Sequence, residues 1–320
     1  MPTLFADPLR RLFSRVAGAI LAVLLLQPAF IEAAELLVSS YSSDVVTRHD
    51  AGSGALLGTL QTGVGLNGPL CARIGPDGLL YVPSELTHSV QRYNVNTGAF
   101  VDTFVTPGSG GLNGPTGVTW DGVGNLVVPS FNTNTILKYN GQTGAFLGNF
   151  VTASSGGLSG PDNGTIFGPD GNLYVPSYFG NKILRYNGQT GAFMDAFVAS
   201  IFTPRVLEFR GGSLYVSSEG SNCVRRFDAT TGAALGNFTA PGSGGMQIPI
   251  GMAFGPDDNL YVASSLGDRV LRYDGQTGAF IDTFIAAGTG GIDTPAFLTF
   301  TPEPASALSL LMLLACARRR

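Results

Sequence analysis

Six short strands of nearly the same wording recur along this chain of 320 residues: ELLVSS from Glu35, LLYVPS from Leu79, NLVVPS from Asn125, NLYVPS from Asn172, SLYVSS from Ser213 and NLYVAS from Asn259. Their starts lie 44, 46, 47, 41 and 46 residues apart. A unit of that length made of strands and turns cannot bury its apolar face alone and must pack against its neighbours. The expectation is an all-β fold, a six-bladed β-propeller with one sheet per repeat. The 45 glycines suit turns and exclude a helical repeat.

One repeat shows how a blade should form. LYVPS (Leu173–Ser177) reads as a strand, KILRYN (Lys182–Asn187) as the next, and NGQTG (Asn187–Gly191) as a turn whose Asn and Gly accept left-handed backbone angles. AFMDAFV follows as the outer strand, and RVLEF (Arg205–Phe209) opens the next blade at the central channel. A GPDGN turn at Gly168–Asn172 closes the hairpin back onto LYVPS. The first repeat lacks an inner strand before it, and the last inner strand, AFLTF (Ala296–Phe300), lacks a successor. The C-terminal strand is therefore expected to join the N-terminal blade, which removes two open sheet edges.

The formal charge is −4, and six of the 18 basic residues sit in the two end segments, so the body between them is acidic. Nucleic acid is not an expected partner, since phosphate binding needs a basic face. Cys71 and Cys223 fall in different blades without a CxxC pattern and read as small buried apolar residues.

Residues 1–34 carry Arg10, Arg11 and Arg15, then the apolar run AGAILAVLLL, and read as a secretory signal peptide. The propeller is expected over 35–301. Residues 302–320 hold a Pro302-Glu303-Pro304 triplet, an apolar run Ala305–Ala317 and a basic end, Arg318, Arg319 and Arg320. This tail resembles the PEP-CTERM sorting signal of Gram-negative bacteria. The resemblance implies an exosortase-type processing protease as partner, transient association with the inner membrane, and a final place in the cell envelope or outside the cell. The orientation agrees with the positive-inside rule. The run of 13 apolar residues would rise about 20 Å as a helix, against roughly 30 Å of hydrocarbon.

Some periodic residues serve the fold. Arg48, Arg92, Lys138, Arg185, Arg226 and Arg272 occupy one equivalent position, which reads as a structural partner for turns or adjoining sheets. Asp77, Asp170 and Asp257 of the GPDG-type turns read as turn formers. A site is better sought where the repeats disagree. The loops expected on one face of the ring carry Tyr41, Asp44, Glu85, His88, Phe131, Asn132, Tyr178, Phe179, Phe202 and Glu219. The starts of the inner strands carry Leu70, Thr116, Asp162 with Asn163, Arg205, Ile250 and Ala296.

The expectation is a ligand pocket at that mouth, with Asp162, Asn163, Arg205, Glu208, Thr116 and Arg73 in polar contact and Tyr178 and Phe179 stacking on a sugar or other flat ligand. The opposing reading is a channel satisfied by water, with Arg73 and Glu208 paired across the ring.

Through the NLYVPS strand, the ILRYN strand and the GPDG turn, the repeats resemble the NHL and streptogramin-lyase-like six-bladed propellers. That group holds binding scaffolds, lyases and metal-dependent lactonases, so the resemblance leaves function open. The lactonase alternative implies Ca2+ or another divalent metal, with Asp162, Asn163 and Glu208 as its candidate ligands. The glutamate expected before Gly-Pro is replaced by LNGP, LNGP and LSGP. The lyase alternative implies a catalytic histidine in a loop, with His88 as the candidate. The preferred reading is a binding or scaffold module without a cofactor, for an extracellular polysaccharide or matrix protein.

Overall fold

A strand whose two faces both meet apolar neighbours is buried throughout, and Leu173–Ser177 is buried at all five positions. The computed structural model describes residues 34–60 and 65–302, and there each LYVPS-like strand lies second in a sheet of four. Six such antiparallel sheets form six blades, so the expected propeller is observed. From channel to rim, blade four runs Ile166–Phe167, Leu173–Ser177, Lys182–Tyr186 and Phe193–Val198. The outer strands face solvent along their starts, as at Phe193 and Met194.

The ring closes as the strand inventory requires. Pro295–Phe300 pairs with Glu35–Ser40, with Leu36 opposite Phe300, Leu37 opposite Thr299 and Val38 opposite Leu298. Blade one is thereby composed of the two ends of the described chain.

Apolar clusters fill the gaps between blades, as where Val127 and Phe150 of blade three meet Val175 and Leu184 of blade four. Tyrosines that follow a buried leucine near the start of the second strand meet rings of the next blade edge-on: Tyr81 with Trp120, Tyr174 with Phe209, Tyr215 with Phe254 and Tyr261 with Phe300.

Polar stitches run alongside. The loop between second and third strands ends in a left-handed residue in every blade: Asp44, His88, Asn134, Asn181, Asn222 and Asp268. Each accepts a backbone N–H from the segment leading into the next blade, at Gly68, Gly114, Gly160, Thr203, Ile248 and Thr294 respectively, over 2.7 to 3.0 Å. Asn and Asp tolerate that backbone angle and carry an acceptor at the right reach. The serine that ends each second strand does similar work, as where Ser130 Oγ accepts from Asn113 N and donates to its carbonyl.

The repeated cation proves structural, as expected. In blades two, four and six it forms a two-bond clasp with an outer-strand acid, Arg92 with Asp102, Arg185 with Asp195 and Arg272 with Asp282. Outer strands of the other blades have Gly58, Gly148 and Gly236 in that register. Arg48 pairs instead with Glu35 and Lys138 with Asp121, while Arg226 forms no salt bridge among the described residues. The turn acids bond their own turns and a tyrosine: Asp170 accepts from Asn172 N and from the Tyr174 hydroxyl. Cys71 and Cys223 are free and buried.

Candidate functional site

The mouth is built where blades four and five meet. Blade four carries one more residue than its neighbours after the proline of the inner segment: Pro161 to Ile166, against Pro115 to Thr119 in blade three and Pro204 to Glu208 in blade five. The extra residue makes a local turn, with Thr165 N and Oγ1 both donating to Asp162 O. Asp162 and Asn163 are thereby fully buried.

Asp162 meets the guanidinium of blade five. Arg205 Nη1 donates to Asp162 Oδ2 at 2.7 Å, and Arg205 Nε donates to Glu219 Oε2 at 2.6 Å. The Tyr178 hydroxyl donates to the other Glu219 oxygen at 2.9 Å, and the Tyr178 ring lies under the Arg205 guanidinium at 4.3 Å. Arg205 is held on three sides, its charge stabilised by both acids against the cost of burial. Glu85, across the mouth, is raised above the ordinary carboxylate range by burial and by the Asp162 charge, while its bond with Tyr41 and the nearby Arg205 and His88 oppose the shift. Burial and Glu85 push the Tyr41 hydroxyl up to about 12.

Asn163 has another task. Its Nδ2 donates to the carbonyls of Leu70 at 3.0 Å and Ala296 at 3.2 Å, so it reaches across the axis from blade four to blades two and one. Its Oδ1 is buried without a hydrogen-bond partner among the described residues. Leu70, Ile250 and Ala296 pack together beside it. Thr116 Oγ1 donates to Pro161 O, joining blades three and four. Asn163 and these apolar residues thus bridge blades one, two, four and six at the mouth end of the axis.

Apolar side chains stand around that face. Phe179 is 63% exposed and Phe202 57% exposed, while Leu86 and Leu266 occupy the equivalent loop tips of blades two and six. Phe179 leans on Phe131 and Tyr178, with ring centroids 5.4 and 5.0 Å apart.

The single expected pocket is divided. Arg73 and Glu208 lie further along their inner strands and line a separate cavity of about 740 Å³ on the hairpin side, with Trp120, Phe209, Phe254 and Phe300. They do not pair: Arg73 Nη1 donates to the carbonyls of Val118 and Thr165, and its guanidinium lies 5.2 Å from the Phe297 ring. Burial raises the Glu208 carboxyl to about 7, against the opposing effects of the Phe254 N–H, Arg210 and Arg73.

Asp162, Asn163 and Glu208 therefore make no common ligand set, since Asp162 is taken by Arg205 and Glu208 serves the other cavity. No group of three His, Cys, Asp or Glu side chains able to hold a metal is present among the described residues. His88 Nδ1 accepts from Gly114 N at 3.0 Å, in the position that Asn or Asp fills elsewhere. Pro302 is exposed, while Glu303, Pro304 and Arg318 to Arg320 lie outside the described residues, as do the first 33 residues of the expected signal. Among the described residues no helix is long and apolar enough to cross a membrane.

Sequence reasoning placed Glu219 and Glu85 on the right face without seeing that they engage Arg205 and Tyr41. The signal was the concentration of acids in loops whose other copies carry Ser, Phe or Tyr at the same position.

No family model matches the chain, and no curated protein matches it. Solved structures do. A chain from the crystal structure of a nidogen/laminin complex is 15% identical with a TM-score of 0.68, covering 85% of this chain and all of that one. A protein of unknown function from Bacteroides caccae is 12% identical with a TM-score of 0.64, again covering 85% of this chain and all of its own. At such identities the likeness establishes the six-bladed fold alone.

Proposed function

We propose that this protein is an exported binding module of the NHL-like propeller type, sorted by an exosortase-type protease to the envelope or exterior of a Gram-negative cell, and that its mouth face holds an extracellular polysaccharide. The observation that carries this reading is that exposed Phe179 packs on Tyr178 and exposed Phe202 lies over Gly220, which adjoins Glu219, while Tyr178 and Arg205 both bond Glu219. Aromatic faces accept the apolar faces of sugar rings, and fixed carboxylates accept sugar hydroxyls as charge-assisted hydrogen bonds. The ionic cluster is already satisfied internally, so it offers remaining lone pairs without needing to rearrange.

Binding is preferred to turnover because the residues that a lactonase or lyase would use are committed elsewhere: Asp162 to Arg205, and His88 Nδ1 to Gly114.

A glycan array probed with the full chain tests the reading. Saturable binding to a polysaccharide class, lost in the Phe179→Ala/Phe202→Ala double variant, is expected; binding only to protein components, or to nothing, overturns it. Sorting is tested separately. Replacing Pro302 to Pro304 by alanines is expected to leave the chain unprocessed in the membrane fraction, and unchanged processing would contradict the tail assignment.

A further inference from the structure

The inner strands present one residue per blade at the same depth on the hairpin side, four or five positions after the inner-segment proline: Arg73, Thr119, Ile166, Glu208, Ala253 and Thr299. The next residue along is kept apolar in all blades, Ile74, Trp120, Phe167, Phe209, Phe254 and Phe300, because it packs between blades. The fold thus repeats the wall and leaves the ring in front of it free to vary. All six residues of that ring lie at the cavity of about 740 Å³, a volume in the range of small-molecule sites.

The polar groups there are few and unequal in state. Arg73 is satisfied by two carbonyls, and Thr299 donates its hydroxyl to Ala72 O. Glu208 forms no salt bridge among the described residues, and the Phe254 N–H, Arg210 and Arg73 act on its carboxyl only in partial opposition to burial. Trp120 carries a buried indole N–H with no acceptor. The cavity therefore combines aromatic walls with one acidic side chain, Glu208, that no salt bridge occupies among the described residues.

We propose that this hairpin-side cavity is a second binding site, distinct from the mouth face, for a neutral, flat, mainly apolar molecule with an O–H or N–H group that donates to Glu208. The aromatic walls select the flat apolar body. Charge selects neutrality above about pH 7: Arg73 and Arg210 stand near enough to Glu208 to act on it electrostatically and oppose a cation, while the ionised Glu208 offsets their attraction for an anion. The donor requirement holds above about pH 7, where Glu208 has lost the proton that burial keeps on it and its carboxylate accepts only.

The chain has one tryptophan, and Trp120 lines this cavity, so its single indole N–H resonance serves as the reporter. Titrating the nitrogen-15-labelled full chain with 4-cyanophenol is expected to shift that resonance saturably. Benzonitrile, which lacks the donor, should bind about tenfold more weakly, the factor that one lost hydrogen bond of ~1.4 kcal/mol implies. Glu208→Leu should weaken the phenol by a similar factor while leaving benzonitrile unchanged. Ala253→Trp would fill the cavity and, with a retained cooperative melt, should abolish both; its second indole resonance is identified by comparison with the wild type. A phenol that leaves the wild-type indole unmoved up to its solubility limit overturns the proposal, as does binding that survives Ala253→Trp. Equal affinity of phenol and benzonitrile would overturn the assigned ligand class. Glycan binding at the mouth would be untouched by any of these outcomes.

Discussion

At the scale of single residues, Arg205 and Glu208 show how depth along an inner strand decides what a charge does. Arg205 leaves only 15% of its side chain exposed and neutralises Asp162, which has none exposed. Removing the cation strands a buried carboxylate, so Arg205→Ala is expected to cost about 3 to 5 kcal/mol in urea unfolding. Adding Asp162→Asn should recover a substantial part of that loss, since the uncompensated charge goes with it. A small loss from Arg205→Ala, unaltered by the second change, would contradict the buried pair. Glu208 behaves in the opposite sense. Its folded-state value is raised from 4.5 to about 7, so the native chain keeps a proton that the unfolded chain has already released. Stability is then greatest below 4.5 and declines as pH rises through about 7. Glu208→Gln should stabilise the protein by on the order of 1 to 2 kcal/mol near pH 8 and by almost nothing near pH 4, as followed by melting at both. An equal effect at the two pH values would mean that Arg73 and Arg210 hold the carboxylate ionised.

At the scale of the blade, the repeats are read most clearly where every copy obeys the same demand. The second strand was legible because both its faces are covered, which keeps it apolar, and the turns were legible because Gly, Asn and Asp supply left-handed angles. What the repeats hid is which acid each cation takes. Arg272 is clasped by Asp282 and lies over Phe284, whereas Arg226 faces Gly236 at the same register and finds no salt bridge among the described residues. Arg272→Ala is accordingly expected to cost about 1 to 2 kcal/mol, mostly from lost stem packing and ring contact, since Asp282 is largely solvated. Arg226→Ala should stay within about 0.5 kcal/mol. Equal costs would show that the outer-strand acid adds nothing. His88 belongs to this scale as well: Asn stands at its position in blades three, four and five. His88→Asn should preserve the stitch to Gly114, and His88→Ala should lose about 1 kcal/mol, both read from the urea midpoint.

At the scale of the molecule, ring closure followed from counting strands: the first blade lacked one and the last strand lacked a blade. The division of the candidate site into two ends was not legible in the same way. It rests on the inserted residue of blade four, which turns Asp162 toward Arg205 and sends Asn163 across the axis to Leu70 and Ala296. That insertion shows in the sequence only as a spacing of 47 in place of 46. Contacts across the ring join residues about a hundred positions apart, and no local pattern encodes them. Phe179 and Phe202 were both visible as loop residues, yet their exposure beside one ionic cluster depends on two blades meeting. The claim that this face is where the protein works is tested most directly by the affinity of the full chain for the polysaccharide selected on the array, measured calorimetrically beside the Phe179→Ala/Phe202→Ala variant. The account predicts a loss of about five- to thirtyfold, from stacking contacts of about 1 to 2 kcal/mol together, with an unchanged melting temperature. Undiminished affinity in a folded double variant would contradict it.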